Sequence, residues 1–266
     1  MILAFSGGWG LAAAAGAAGA YAVLALAATR LNAGVLRGLL LAAWLLHAVT
    51  LVEALLGAPP RFGFAPALSM TVWLVLTVYA IESRLFPQLQ AHWALAGLGS
   101  AAVVLSLVFP GNSYHAAASP WLPLHWALGI ASYGLFAAAA VHGWLMGRAE
   151  RSIRQAEQSD SGVPLLTLER LTFRFVQAGF VLLSATLLAG WLFAETLHSS
   201  GMAWKWDHKT VFSVLAWLTF ASLLIGRARL GWRGLKATRV LYLGSALLLL
   251  GYAGSRFVLE VILRRA

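Results

Sequence analysis

The sequence predicts an all-α, polytopic integral membrane protein of about eight transmembrane helices, with both termini outside. Three observations carry that prediction. Of 266 residues, 61% are hydrophobic and 11% charged, with a mean hydropathy of +0.79. Soluble domains hold roughly 45–50% apolar residues, and no soluble fold of this length hides so much apolar surface. Eight apolar stretches approach the roughly 20 residues that a helix needs to cross a bilayer. The basic residues alternate in density between successive loops, as the orientation bias of Lys and Arg requires.

The spans are predicted at 9–28, 36–57, 67–86, 93–110, 122–147, 174–197, 209–226 and 240–262. The first is an Ala/Gly-rich run from Leu11 to Ala28, either a close-packing helix face or a lipid-facing span. No basic segment precedes it, so a retained helix is expected rather than a cleaved signal peptide. The second, third and fourth spans stop at Pro59-Pro60, Pro87 and Pro110, where proline breaks the helical pattern. The fifth opens at Pro123-Leu124-His125-Trp126 and runs into a polar segment, about 148–173. Arg148, Glu150, Arg151, Arg154 and Glu157 suggest a solvated helical extension there, with Glu150 four residues before Arg154. Ser159-Asp160-Ser161-Gly162 breaks that extension, and Pro164 opens the approach to the sixth span. The seventh starts after Asp207-His208, and the eighth ends before Arg264-Arg265.

With the N-terminus outside, thirteen Lys and Arg residues fall in inner loops and five in outer segments. The net charge of +10 is then a topology signal rather than a nucleic-acid footprint. Arg264-Arg265, at an outer terminus, run against the bias. The chain has no cysteine, which excludes disulfides, thiolate metal sites and thiol redox chemistry. It also excludes attachment of haem to the chain's own thiols. No internal repeat and no separate soluble domain are visible.

Chemistry concentrates in Trp204-Lys205-Trp206-Asp207-His208-Lys209, between the sixth and seventh spans. Flat aromatic faces, an imidazole and two cations suit a planar, anionic, metal-bearing ligand, and haem is the obvious one. An interfacial Trp/Lys belt without a ligand explains the same composition. Of seven histidines, His115, His125, His198 and His208 fall at or near the outer surface. Imidazole is the usual ligand of haem iron and of many other metals. His125 starts the fifth span and His208 the seventh, so both imidazoles can lie at one depth. His198 ends the sixth span at the same face. Trp204 and Trp206 would cover a porphyrin plane or edge, and Lys205, Lys209 and Arg256 would meet its propionates, Arg256 with bidentate geometry. Arg256 stands four residues before Glu260, so an internal ion pair competes for it. Asp207 either orients a histidine or caps the seventh helix, capping being the commoner role. His47, inside the second span, sits at a depth where ionisable groups are costly; it either guides a second haem, with His142 as partner, or is a hydrogen-bonded structural histidine.

Several motifs occur in a familiar order. They are Pro164-Leu-Leu-Thr-Leu-Glu169-Arg-Leu-Thr-Phe-Arg174, Gly179-Phe180, Gly190-Trp191, Trp204-Lys-Trp206-Asp207-His208-Lys209, Ala216-Trp217, Gly231-Trp232-Arg233-Gly234 and Tyr252-Ala-Gly254. Over roughly residues 120–263 this pattern resembles the cytochrome c assembly proteins of the CcsA and ResC type. His after Asp207, with Gly254-Ser-Arg-Phe-Val-Leu-Glu260 at the end, resembles the YpjD-type inner membrane branch of that family. Residues 1–120 are expected to form helices one to four; the resemblance implies that 121–266 form an assembly-type module with an outer Trp-rich segment, the whole being one integrated membrane domain. It further implies haem held at the outer face by histidines flanking that segment, His125 matching the first of them. The family's second outer histidine follows its last span, where this chain has Arg264-Arg265-Ala266. Either His208 supplies the second ligand, with His198 as runner-up, or the site is five-coordinate, or it no longer binds haem.

The expectation is therefore a non-enzymatic, multi-pass bacterial inner membrane protein that binds haem b and presents or delivers it outside. Its expected partners are haem, the bilayer, and an apocytochrome or another membrane protein, with no nucleic acid. Two other classes use the same residues: a haem-b electron carrier that never releases its haem, and a haem-free transporter or accessory protein.

Overall fold

The computed structural model describes residues 8–27, 30–57, 61–85, 92–113, 121–154, 164–192, 207–254 and 257. Among them are eight α-helices: α1 (Gly8–Ala27), α2 (Ala33–Leu56), α3 (Phe64–Leu85), α4 (His92–Val108), α5 (Trp121–Arg154), α6 (Leu165–Leu192), α7 (His208–Leu230) and α8 (Gly234–Leu249). A π-helical turn, Leu250–Gly254, extends α8, and two short strands, β1 (Arg61–Phe62) and β2 (Asn112–Ser113), pair antiparallel. Seven helices are long and apolar enough to span a membrane. The eighth, α4, has 17 residues and rises about 25 Å, most of a hydrocarbon core. Large apolar side chains face outward, Leu26 at 86%, Val181 at 64% and Ile225 at 57% exposure, because lipid solvates them. The fold is the expected all-α, multi-spanning membrane protein.

Some boundaries differ from expectation. The sixth helix starts at Leu165, nine residues before the predicted span, because Leu168, Thr172 and Phe173 are buried there. Its polar residues read as loop in the sequence, yet only one face of this turn is polar. The fifth helix continues through Arg148 and Arg151 to Arg154, the solvated extension that Glu150 and Arg154 suggested.

The chain divides near residue 115 into two compact units. In the first, α1 packs on both α2 and α4 through a face of Ala13, Ala14, Ala17 and Ala18, all buried, with Tyr21 and Leu24. Small residues let backbones approach: Ser100 Oγ donates to Ala18 O at 3.0 Å, and a Cβ on Gly99 would lie 3.1 Å from the Tyr21 ring and from Leu76. The Ala/Gly-rich run is thus a close-packing face. The β pair ties the α2–α3 loop to the segment after α4, with Arg61 opposite Ser113. Gly111, at φ 78°, serves that contact, since a Cβ would sit 2.6 Å from the Phe62 carbonyl.

In the second unit, α5 packs on α6 and α8, and α7 on α6 and α8. Its middle is one aromatic layer. The rings of Phe136 and Phe220 stack at 3.7 Å and 6°, and glycines on the other two helices make room for them. A Cβ on Gly179 would lie 3.1 Å from Phe136, and one on Gly244 2.7 Å from Phe220. Beside this layer Phe180 stacks on Trp217, whose Nε1 donates to Ser184 Oγ at 2.8 Å.

Candidate functional site

The aromatic layer sets the depth of the histidines. His125 lies eleven residues before Phe136 on α5, and His208 twelve before Phe220 on α7. The two helices run the same way, because Tyr133 hydrogen-bonds Ser213 while Phe136 stacks on Phe220 further along both. At about 1.5 Å per residue, both histidines stand on the order of 17 Å from the layer. They share one end of the second unit and one depth.

Each is positioned by its helix start. His125 follows Pro123, which is tolerated in a first helical turn because no intrahelical N–H is needed there. It is half-buried, and its Nδ1 is shielded from solvent. His208 is the first residue of α7 and is exposed. Asp207 caps that helix: its Oδ1 accepts from Thr210 N at 2.9 Å, and its backbone O accepts from Val211 N at 3.0 Å. Partial burial works against the Asp207 carboxylate, but the hydrogen bonds from Thr210 and the charges of Lys209 and His208 outweigh it. They hold the carboxyl below its usual range. The cap is what Asp207 does, and it fixes where His208 begins. Below the pair lies a floor in which Tyr133 meets Tyr252 at 6.2 Å. There a Cβ on Gly251 would touch Phe212 at 3.0 Å.

Trp204, Trp206, His198 and Arg256, also expected at the site, lie outside the described residues, as do His115 and Lys205. His47 belongs to the first unit and is fully buried. Its Nε2 shares a 2.8 Å hydrogen bond with Ser69 Oγ, and its ring meets Tyr21 edge-on at 5.8 Å. His142, its suggested partner, belongs to the second unit, where its Nδ1 donates to Ala138 O at 2.8 Å.

The other end of the second unit holds an arrangement that sequence reasoning missed. Arg227 on α7 pairs with Glu169 on α6 and lies over the Phe173 ring, 3.9 Å from its centroid. Arg233 stands 3.8 Å from the same carboxylate, and Lys236 lies 4.2 Å over Trp232. In the sequence, Arg227, Arg233 and Lys236 enter the loop charge count, and Glu169, Trp232 and Arg233 the motifs, neither of which shows that they meet. The available clue was Glu169 itself, a lone carboxylate among Arg170, Arg174 and their neighbours. Trp232 folds back over Gly226, where a Cβ would collide with its ring, after Gly231 ends α7 at φ 64°. Motif residues Gly179, Phe180, Ala216, Trp217, Gly231 and Trp232 are thus packing and turn residues.

The fold defines a polytopic helical membrane protein, with His125 and His208 at one end of its second unit. A family profile described as "Cytochrome C assembly protein" matches residues 33–263. The chain belongs to that family. It is 29% identical over 201 residues to the inner membrane protein YpjD of Escherichia coli K12, covering 73% of this chain and 72% of that protein. An uncharacterised 28.8 kDa protein of Azospirillum brasilense is 33% identical over 146 residues, covering 54% of this chain and 53% of that protein. The cytochrome c biogenesis protein CcsA of Cyanophora paradoxa is 36% identical over 87 residues, covering 33% and 26%. No solved structure matches.

Proposed function

We propose that this chain is a haem-binding protein of a bacterial inner membrane that serves cytochrome c biogenesis. In this reading it holds haem b at the outer face and presents it to an acceptor, an apocytochrome or another membrane protein, without catalysing a reaction itself. The observation that carries the reading is the matched depth of His125 and His208 at one end of the second unit. Family membership and the likeness to proteins named for cytochrome c biogenesis support it.

The donor set fits haem. Imidazole is the usual nitrogen ligand of haem iron, and His125 and His208 supply two of them at one level. Trp204 and Trp206 would cover the porphyrin, Lys209 and Arg256 would meet its propionates, and His198 is the alternative second ligand. Asp207 contributes indirectly, by starting α7 where His208 is needed. Bound haem would supply an iron centre capable of one-electron redox chemistry, held by His125 and His208. The chain's own residues would bind and orient it.

Transfer tests this. The protein is loaded with haem, reconstituted into proteoliposomes and mixed with an apo-acceptor outside. The account predicts movement of haem to the acceptor. Tight retention would make it an electron carrier, and failure to load at all would remove haem from the account.

A further inference from the structure

Within the first unit, α2 packs mainly on α1 and α3 on α4, each more closely than α2 and α3 pack on one another. They meet at one level through a mutual clamp. Trp44 and Trp73 stack at 4.9 Å and 19°. Trp44 Nε1 donates to Thr77 Oγ1 at 2.8 Å, Thr77 Oγ1 to Trp73 O at 2.8 Å, and Trp73 Nε1 to Trp44 O at 3.1 Å. On one side of this clamp the helices part around a cleft of about 1040 Å³. Its walls are aliphatic, with Leu40 and Leu41 on α2 and Leu76, Ala80 and Ile81 on α3. Leu41 and Ile81 are 56% and 59% exposed, and a Cβ on Gly38 would meet nothing within 4 Å.

Two arginines complete the lining, Arg37 and Arg84. Arg37 precedes Trp44 by seven residues, and Arg84 follows Thr77 by seven. The helices run in opposite directions, so both guanidinium-bearing residues stand about 10 Å from the clamp, on the same side of it. Both are exposed. Among the described residues neither has an ion-pair partner, whereas Arg227 is held by Glu169. Two uncommitted guanidinium groups, at one level above an apolar slot, match an anionic headgroup carrying an acyl chain.

We propose that this cleft binds an acidic phospholipid, its acyl chain along Leu41 and Ile81 and its phosphate between Arg37 and Arg84. Any apolar cleft that faces a bilayer takes up lipid; the arginines add selectivity. Guanidinium pairs phosphate bidentately, and cations at a membrane surface favour acidic lipids. The site is separate from the histidine end of the second unit and does not depend on the haem reading.

Native mass spectrometry of the full chain in mild detergent, titrated with phosphatidylglycerol or phosphatidylcholine, tests it. The expected preference for phosphatidylglycerol is on the order of tenfold. It should be lost in the double variant Arg37→Gln/Arg84→Gln and in Leu41→Trp, which fills the slot. Arg229→Gln, an exposed arginine of the second unit, should keep it. Equal binding of the two lipids would overturn the proposal, as would a preference that survives the double variant. Inorganic phosphate alone binding with the same arginine dependence, or haem displacing phosphatidylglycerol one for one, would identify a different ligand and overturn it too.

Discussion

At the scale of single residues, Asp207 shows how a chemistry-bearing motif divides between structure and site. Its carboxylate is spent on the N-terminus of α7, so the imidazole next to it is the ligand candidate. Asp207→Ala should cost about 1 kcal/mol, the usual value of such a cap, and Asp207→Asn should restore most of it. The pH dependence has a definite sign. The folded carboxyl titrates below its ordinary value, so its contribution is complete above the unfolded pKa of about 3.9 and disappears as pH falls through the folded value. Melting curves of wild type and Asp207→Ala should therefore differ at pH 7 and converge only as pH falls through the folded value, below the unfolded pKa of about 3.9. A constant gap would show that the carboxylate charge has no part in the cap. The capping role was legible from Asp placed just before an apolar run. The His47–Ser69 bond was not, because it joins residues on different helices, 22 positions apart.

Among elements, the helices of the second unit fit because small residues stand where aromatic rings cross. Hydropathy located the eight described helices but could not find this pairing, since Gly179 and Gly244 read as ordinary members of apolar runs until Phe136 and Phe220 are set against them. For the same reason the start of α6 was misjudged. The polarity of Glu169 and Arg170 hid a turn whose other face is Leu168 and Thr172. Gly244→Ala should destabilise by roughly 1–3 kcal/mol, as overpacking does, because its Cβ would lie 2.7 Å from Phe220. Gly147→Ala is the matched control. Its Cβ would meet nothing within 4 Å, so a glycine in mid-helix is replaced at no steric cost, with neutral or slightly raised stability. Thermal unfolding of the two variants in one detergent checks the contrast, and equal losses would discount the aromatic layer.

For the whole molecule, composition and loop charge were enough to identify a multi-spanning helical protein, and the motifs were enough to identify the family. Thirteen basic residues on one side and five on the other predict the orientation, with the histidine end outside. The absence of cysteine makes it easy to test. Ser200→Cys should react with an impermeant thiol reagent in intact cells, and Leu235→Cys should react only after permeabilisation. The opposite pattern would turn the histidine end toward the cytoplasm and end the proposal of outward presentation.

The central claim is that His125 and His208 hold one haem, and the spin state of the bound iron tests it most directly. Absorption spectra of the haem-loaded wild type, His125→Ala and His208→Ala, with haem quantified per chain, are the measurement. The account predicts a low-spin, six-coordinate spectrum in the wild type, and loss of haem or conversion to high spin in each variant. A wild type that takes up no haem, or variants that keep both the haem content and the low-spin spectrum, would contradict it.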